Sequence, residues 1–128
     1  MSDKQVISTS DAPQNDVPYS QGILTGDFLF VSGQGPADPE TGEHAEGGVQ
    51  VQAEQTLENL QSIVESAGGS LDNIVKATVY LDDMDDYDAV NEVYGEYFDS
   101  EPPARVCIEA GRLPGGINVE IEAFARVD

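Results

Sequence analysis

Apolar residues recur along this chain with two different periods, and the switches between them mark out strands and helices. Val6-Ile7 fits a brief strand. Gln21 to Thr25 and Phe28 to Gln34 read as two strands joined at Gly26-Asp27, a tight-hairpin signal. Ala37 to Gly48 is a polar loop punctuated by Pro39, Gly42 and Gly47-Gly48. Ala53, Leu57, Leu60, Val64 and Ala67 then recur at helical steps, Ile63 widens the stripe, and Gly68-Gly69 stops it. Ile74 to Leu81 is a β-branched strand. In a second helix Tyr87, Val90, Tyr94, Tyr97 and Phe98 form the buried stripe, Asp85 or Asp86 supplies the cap, and Pro102-Pro103 ends it. Two alternating segments close the chain, one around Arg105 to Ile108 and one from Val119 to Phe124, separated by Arg112-Leu113-Pro114-Gly115-Gly116.

The order ββ-α-β-α-ββ predicts an α+β fold, a mixed sheet with two helices on one face. Alternation assigns Val75, Ala77, Val79 and Leu81 to the helix-covered face, with Val106, Ile108 and Ala110 in the next strand and Val119, Ile121, Ala123 and Val127 in the last. The other face then carries Lys76, Thr78, Tyr80, Arg105, Cys107, Glu109, Glu120, Glu122, Phe124 and Arg126. Three of the chain's five bases fall in that set. Bases and aromatics gathered there imply a covered face, closed by copies of the same chain. A strand bulge would scramble this assignment.

Charge changes the picture. The chain of 128 residues is read as one domain, 1–128, with 25 acids against 5 bases and a net charge of −20. Such a surface repels itself in dilute buffer. In molar salt the screening length falls to about 3 Å and most of that penalty disappears. Acids spread from Asp3 to Asp128 fit a halophilic adaptation better than a single docking patch, and they make nucleic acid a poor partner. One cysteine permits no internal disulfide, the polar N-terminus lacks an apolar signal core, and no stretch reaches membrane-span length. A cytoplasmic protein without a membrane partner is the expectation.

Against this acidic background Arg105 is the first candidate for chemistry. Its guanidinium fork suits a small carboxylate ligand, or else an ion pair with Glu109, Glu120 or Glu122. Glu120 either orients a water or completes that ion pair; beside Arg105 its pKa should fall. Cys107 has no histidine pattern to activate it and reads as a small buried residue. His44, the only histidine, reads as an exposed loop residue, and one His with one Cys builds no zinc or iron centre. Ser32-Gly33-Gln34-Gly35-Pro36 is a weak phosphate cradle, lacking the third glycine of a dinucleotide fingerprint. Tyr19 and Asn91 read as a packing residue and a helix-face hydrogen-bonding group.

Taken together these residues become recognisable. The chain resembles the RidA (YjgF-type) reactive intermediate deaminase family over nearly its whole length. The matching runs are Pro18-Tyr19-Ser20-Gln21-Gly22, Val31-Ser32-Gly33-Gln34, Gln55 to Leu60, Val75 to Tyr80 and Val90 to Tyr94. The most specific are Pro103 to Cys107, Arg112-Leu113-Pro114 and Val119 to Ala123.

The resemblance implies a chorismate-mutase-like α+β fold and a homotrimer with sites in the clefts between subunits. It implies hydrolysis of 2-imino acids and their enamine tautomers (2-iminobutanoate, 2-iminopropanoate, 2-aminoacrylate) to 2-keto acids and ammonia, without a cofactor. Such imines leak from pyridoxal-phosphate-dependent dehydratases. By the same resemblance Arg105 is the carboxylate clamp and Glu120 the water-orienting acid, with Tyr19, Ser32, Gly33, Asn91 and Cys107 lining the cleft. Gly111 and Gly115-Gly116 depart from bulkier residues common in the family. Two other readings stand beside this one: a trimeric module that binds a keto or amino acid without turnover, and a ribonuclease or translation inhibitor, which the charge opposes.

Overall fold

The computed structural model describes residues 3–14 and 16–128, so Met1, Ser2 and Asn15 lie outside it. Six strands form one sheet: β1 (Lys4–Ile7), β2 (Gly22–Thr25), β3 (Phe28–Gln34), β4 (Ile74–Leu81), β5 (Ala104–Glu109) and β6 (Val119–Arg126). Their order across it is β1-β2-β3-β6-β4-β5, antiparallel except for the parallel β4–β5 pair. Two helices, α1 (Val49–Ser66) and α2 (Tyr87–Tyr97), join that sheet in one core. The expected α+β architecture is present, with Val6-Ile7 extended into the edge strand β1.

Local chemistry explains the boundaries. Gly26, at φ +58°, makes the β2–β3 turn that the Gly-Asp pair announces. Leu57, Leu60, Ile63 and Val64 turn one face of α1 into the core, where each is fully buried. Past the helix Gly68 takes φ +92°, and the amides of Gly68 and Gly69 return to the carbonyls of Glu65 and Val64. The cap of α2 differs from expectation. Asp83 accepts from the Asp85 amide and caps a short 3-10 turn (Met84–Asp86), and Asp86 reaches the helix start without a side-chain cap bond.

β6 lies inside the sheet, and Val119, Ile121 and Ala123 are buried as expected, with Ala125 beside them; Val127 lies past the strand, partly buried against the core. The neighbouring strands correct two assignments. A register shift between Ile74 and Lys76 turns Ile74 inward and leaves Val75 half-exposed. On β5 the parity is reversed. Arg105 pairs with Ala77 and Cys107 with Val79, both core residues, so Arg105, Cys107 and Glu109 share the helix-side parity. Val106 and Ile108 pair instead with Thr78 and Tyr80 and stand exposed on the open face, and Ala110 lies past the strand. The reason is that both faces of this sheet carry apolar residues, so hydrophobicity alone does not identify the helix side. Phe28, Phe30 and Phe124 join Val106 and Ile108 on the open face, with the Phe30 and Phe124 rings edge-on at 5.1 Å. The second helix also departs from expectation: Val90, Val93, Tyr94 and Phe98 are buried, whereas Tyr87 is exposed.

Candidate functional site

The cleft with the richest chemistry, about 620 Å³, opens beside the end of β3. Tyr19, Ser32, Gly33, His44, Glu120 and Glu122 are among its lining residues. The β3–β6 register shifts between Val31 and Gln34, and Ser32 and Gly33 fall in that irregularity. Ser32 is held by both backbone and side chain, its amide donating to the Gln21 carbonyl at 2.9 Å and its hydroxyl to the Ser20 carbonyl at 2.6 Å. Glycine at position 33 makes room for the Glu120 side chain. A Cβ there would fall 2.9 Å from Cδ of Glu120, so the Glu120 carboxyl packs against the bare glycine backbone.

Buried amides hold the walls in position. Asn59 of α1, 1% exposed, donates to the carbonyls of Gly35 (3.0 Å) and Ala37 (2.8 Å), fixing the loop after β3. Gln21 accepts from the Thr9 amide and donates to the carbonyls of Thr9 and Pro13, tying down the segment before β2. Tyr19 ends that segment 52% exposed, so it stands at the cleft and is not a packing residue.

Arg105 belongs to a second cluster. Its guanidinium carbon lies 4.7 Å from the centroid of the Tyr94 ring and 5.7 Å from that of Tyr87, and one nitrogen donates to the Tyr87 hydroxyl at 3.4 Å. Tyr87, Asn91 and Tyr94 follow one another at helical spacing on α2, so Asn91 shares the stripe that carries the arginine. Cys107 lies two residues on, half-buried against the core. Sequence reasoning missed both tyrosines as supports of Arg105 because it treated them as core stripe only.

The expectation that Arg105 and Glu120 adjoin on one sheet face is overturned. β4 runs between β5 and β6, and two strand spacings amount to about 10 Å. Glu120 pairs with Tyr80 on the open face, whereas Arg105 pairs with Ala77 on the helix side. Within one chain the candidate residues therefore divide into Tyr19, Ser32, Gly33 and Glu120 on one side and Asn91, Arg105 and Cys107 on the other.

Electrostatics follow this division. Burial, and then the neighbouring Glu122, raises the Glu120 carboxyl above its ordinary value; the depression expected beside Arg105 does not occur. A carboxyl in this condition holds a proton more readily than an exposed one, which suits proton transfer. Burial raises the Cys107 thiol too, with Arg105 opposing, so Cys107 is a poor nucleophile. Among the described residues no helix is long and apolar enough to cross a membrane.

The Endoribonuclease L-PSP family profile matches residues 9–127. A RutC family protein of Pyrococcus horikoshii is 52% identical over 122 residues, 95% of this chain and 97% of its own. The human 2-iminobutanoate/2-iminopropanoate deaminase is 43% identical over 122 residues, covering 95% of this chain and 89% of its own. Among solved structures, E. coli TdcF with bound serine superimposes with a TM-score of 0.93 at 42% identity, covering 97% of this chain and 99% of that one. A putative endoribonuclease of Thermotoga maritima gives 0.94 at 44% identity, over 97% and 98% of the two chains. These likenesses identify the sheet and helices as the chorismate-mutase-like α+β fold. The chain belongs to the RidA (YjgF-type) family, described by its profile as Endoribonuclease L-PSP.

Proposed function

We propose that this protein hydrolyses 2-imino acids, with their enamine tautomers, to 2-keto acids and ammonia, at sites shared between copies of the chain in a homotrimer. The observation that carries the reading is the division of the site. Arg105 with Asn91 and Cys107 on one side, and Glu120 with Tyr19, Ser32 and Gly33 on the other, converge only if two copies meet. The open sheet face supports such a meeting, since Phe28, Phe30, Val106, Ile108 and Phe124 are all more than 40% exposed on it.

In this arrangement the Arg105 guanidinium of one copy grips the substrate carboxylate with charge-assisted hydrogen bonds. The imine carbon then lies in the cleft of the next copy, where Glu120 accepts a proton from the attacking water. Little more is demanded. Imines hydrolyse unaided, and each tenfold acceleration needs only about 1.4 kcal/mol. One arginine contact of roughly 1.5–3 kcal/mol and a pre-positioned water supply much of it. The human relative named as an imine deaminase supports this chemistry.

A ligand-binding module without turnover is the second reading, favoured by the relative solved with bound serine. Action on RNA is disfavoured despite the profile's description, because a net charge of −20 repels a polyanion. An imine-decay assay decides between the first two. Purified protein should accelerate ammonia release from an imine made in situ, and Arg105→Ala should lose that acceleration while keeping the oligomer. Calorimetric binding of a keto acid without any acceleration would give the second reading instead.

A further inference from the structure

His44 is the chain's only histidine, and it lines the same cleft as Glu120. Its position is fixed by structure. It forms a β-bridge with Ala37, flanked by Asp38 amide to Glu43 carbonyl at 2.8 Å and Ala45 amide to Pro36 carbonyl at 2.9 Å. The root of this small hairpin is held by the buried Asn59. The imidazole packs on the turn at Gly115, where an added Cβ would sit 3.2 Å from Cε1. Gly115 has φ +77°, so glycine both makes that turn and leaves room for the ring. Neither ring nitrogen has a hydrogen-bond partner among the described residues, so both are free for a ligand.

The other titratable groups of its loop and cleft are acids or phenol: Asp38, Glu40, Glu43 and Glu46 on its own loop, Glu120 and Glu122 from β6, and Tyr19 from the segment before β2. Arg112, just before the Gly115 turn, lines a neighbouring hollow with Asp82 and not this cleft. Among the described residues that line this cleft, His44 is therefore the one side chain that can donate a proton as a cation.

Resting on the deaminase reading above, we propose that His44 is a second catalytic residue, which moves a proton from oxygen to nitrogen as the carbinolamine breaks down. Water adds to the iminium carbon; the new C–O bond forms, the C=N π pair moves to nitrogen, and Glu120 takes the water proton. The imidazolium then protonates the amino nitrogen. Neutral imidazole next removes the hydroxyl proton as the C=O bond forms, and the C–N bond breaks with its electron pair leaving on ammonia. His44 ends as imidazolium, and Glu120 returns its proton to solvent. Iminium and water have become keto acid, ammonia and a proton.

The test is the pH profile of imine hydrolysis for the wild-type protein, His44→Gln and His44→Leu. His44 is exposed, so both variants should fold, and equal melting temperatures check it. Both should lose roughly a hundredfold or more in kcat with KM nearly unchanged. The shape of their pH profiles should differ from that of the wild type, and added imidazole should restore part of the rate. A His44→Gln protein with wild-type kcat and pH profile, or a loss confined to KM, overturns the proposal and leaves the deaminase reading intact. A wild-type protein without turnover overturns both.

Discussion

The Glu120 carboxyl lies against the bare backbone of Gly33, in space that any side chain at that position would need. Glycine at the β3 irregularity thus serves the position of the Glu120 carboxyl more than the strand, since Gly33 is not among the positive-φ residues. Gly33→Ala should displace the carboxyl and lower kcat at least tenfold, while stability changes by about 1 kcal/mol or less. Paired kinetics and thermal melts check this; a fully active alanine variant contradicts it.

Arg105 is carried on aromatic faces, and the two tyrosines play different parts. Tyr94 is buried and its hydroxyl has no hydrogen-bond partner among the described residues. Tyr94→Phe keeps the ring under the guanidinium and removes an unsatisfied polar atom, so it should leave KM unchanged and stabilise by up to about 1 kcal/mol. Tyr87→Phe removes the hydroxyl that accepts from Arg105. It should raise KM a few-fold with little effect on melting, since Tyr87 is exposed.

Burial and Glu122 raise the Glu120 carboxyl above its ordinary 4.5, and this has a sign in stability. The folded state holds that proton more tightly than the unfolded chain. The resulting stability is fully present below the ordinary carboxylate value and is lost as pH rises through the raised one. Glu120→Gln should therefore gain stability over the wild type as pH rises from about 4 toward neutrality. The gain should vanish in acid, and turnover should be lost throughout. Melts across that range test the trend; a gain that is constant with pH would sink the electrostatic explanation.

A net charge of −20 implies self-repulsion that salt relieves. The melting temperature should climb as potassium chloride increases from 0.1 M toward the molar range, where the Debye length shrinks from about 10 to about 3 Å. A flat salt series would remove the argument for a halophilic setting.

Much of this was legible in the chain itself. The Gly26-Asp27 turn, the Gly68-Gly69 pair and the apolar periods located the elements, because turn geometry and helix termination are local. What failed was the side of the sheet on which Arg105 stands. Val106 and Ile108 are apolar yet face outward, and no local signal distinguishes a face buried by helices from one open to another copy. Tyr94 is buried as its stripe position implies, but its contact with Arg105, like that of the exposed Tyr87, was not legible, since an aromatic that fits a core stripe fits a cation equally well. Val75 was lost to a single register shift, which a strict two-residue period cannot anticipate. His44 lies in a polar loop whose place over the cleft depends on Asn59, far away in sequence.

The account depends on one copy lending Arg105 to the Glu120 of another, and mixed oligomers test this directly. Arg105→Ala and Glu120→Gln should each be inactive alone. After subunits of the two are exchanged in equal amounts, about a quarter of the interfaces pair an intact arginine with an intact glutamate, so about a quarter of wild-type activity should return. No recovered activity, in a mixture whose exchange is verified by mass spectrometry, would contradict the shared site.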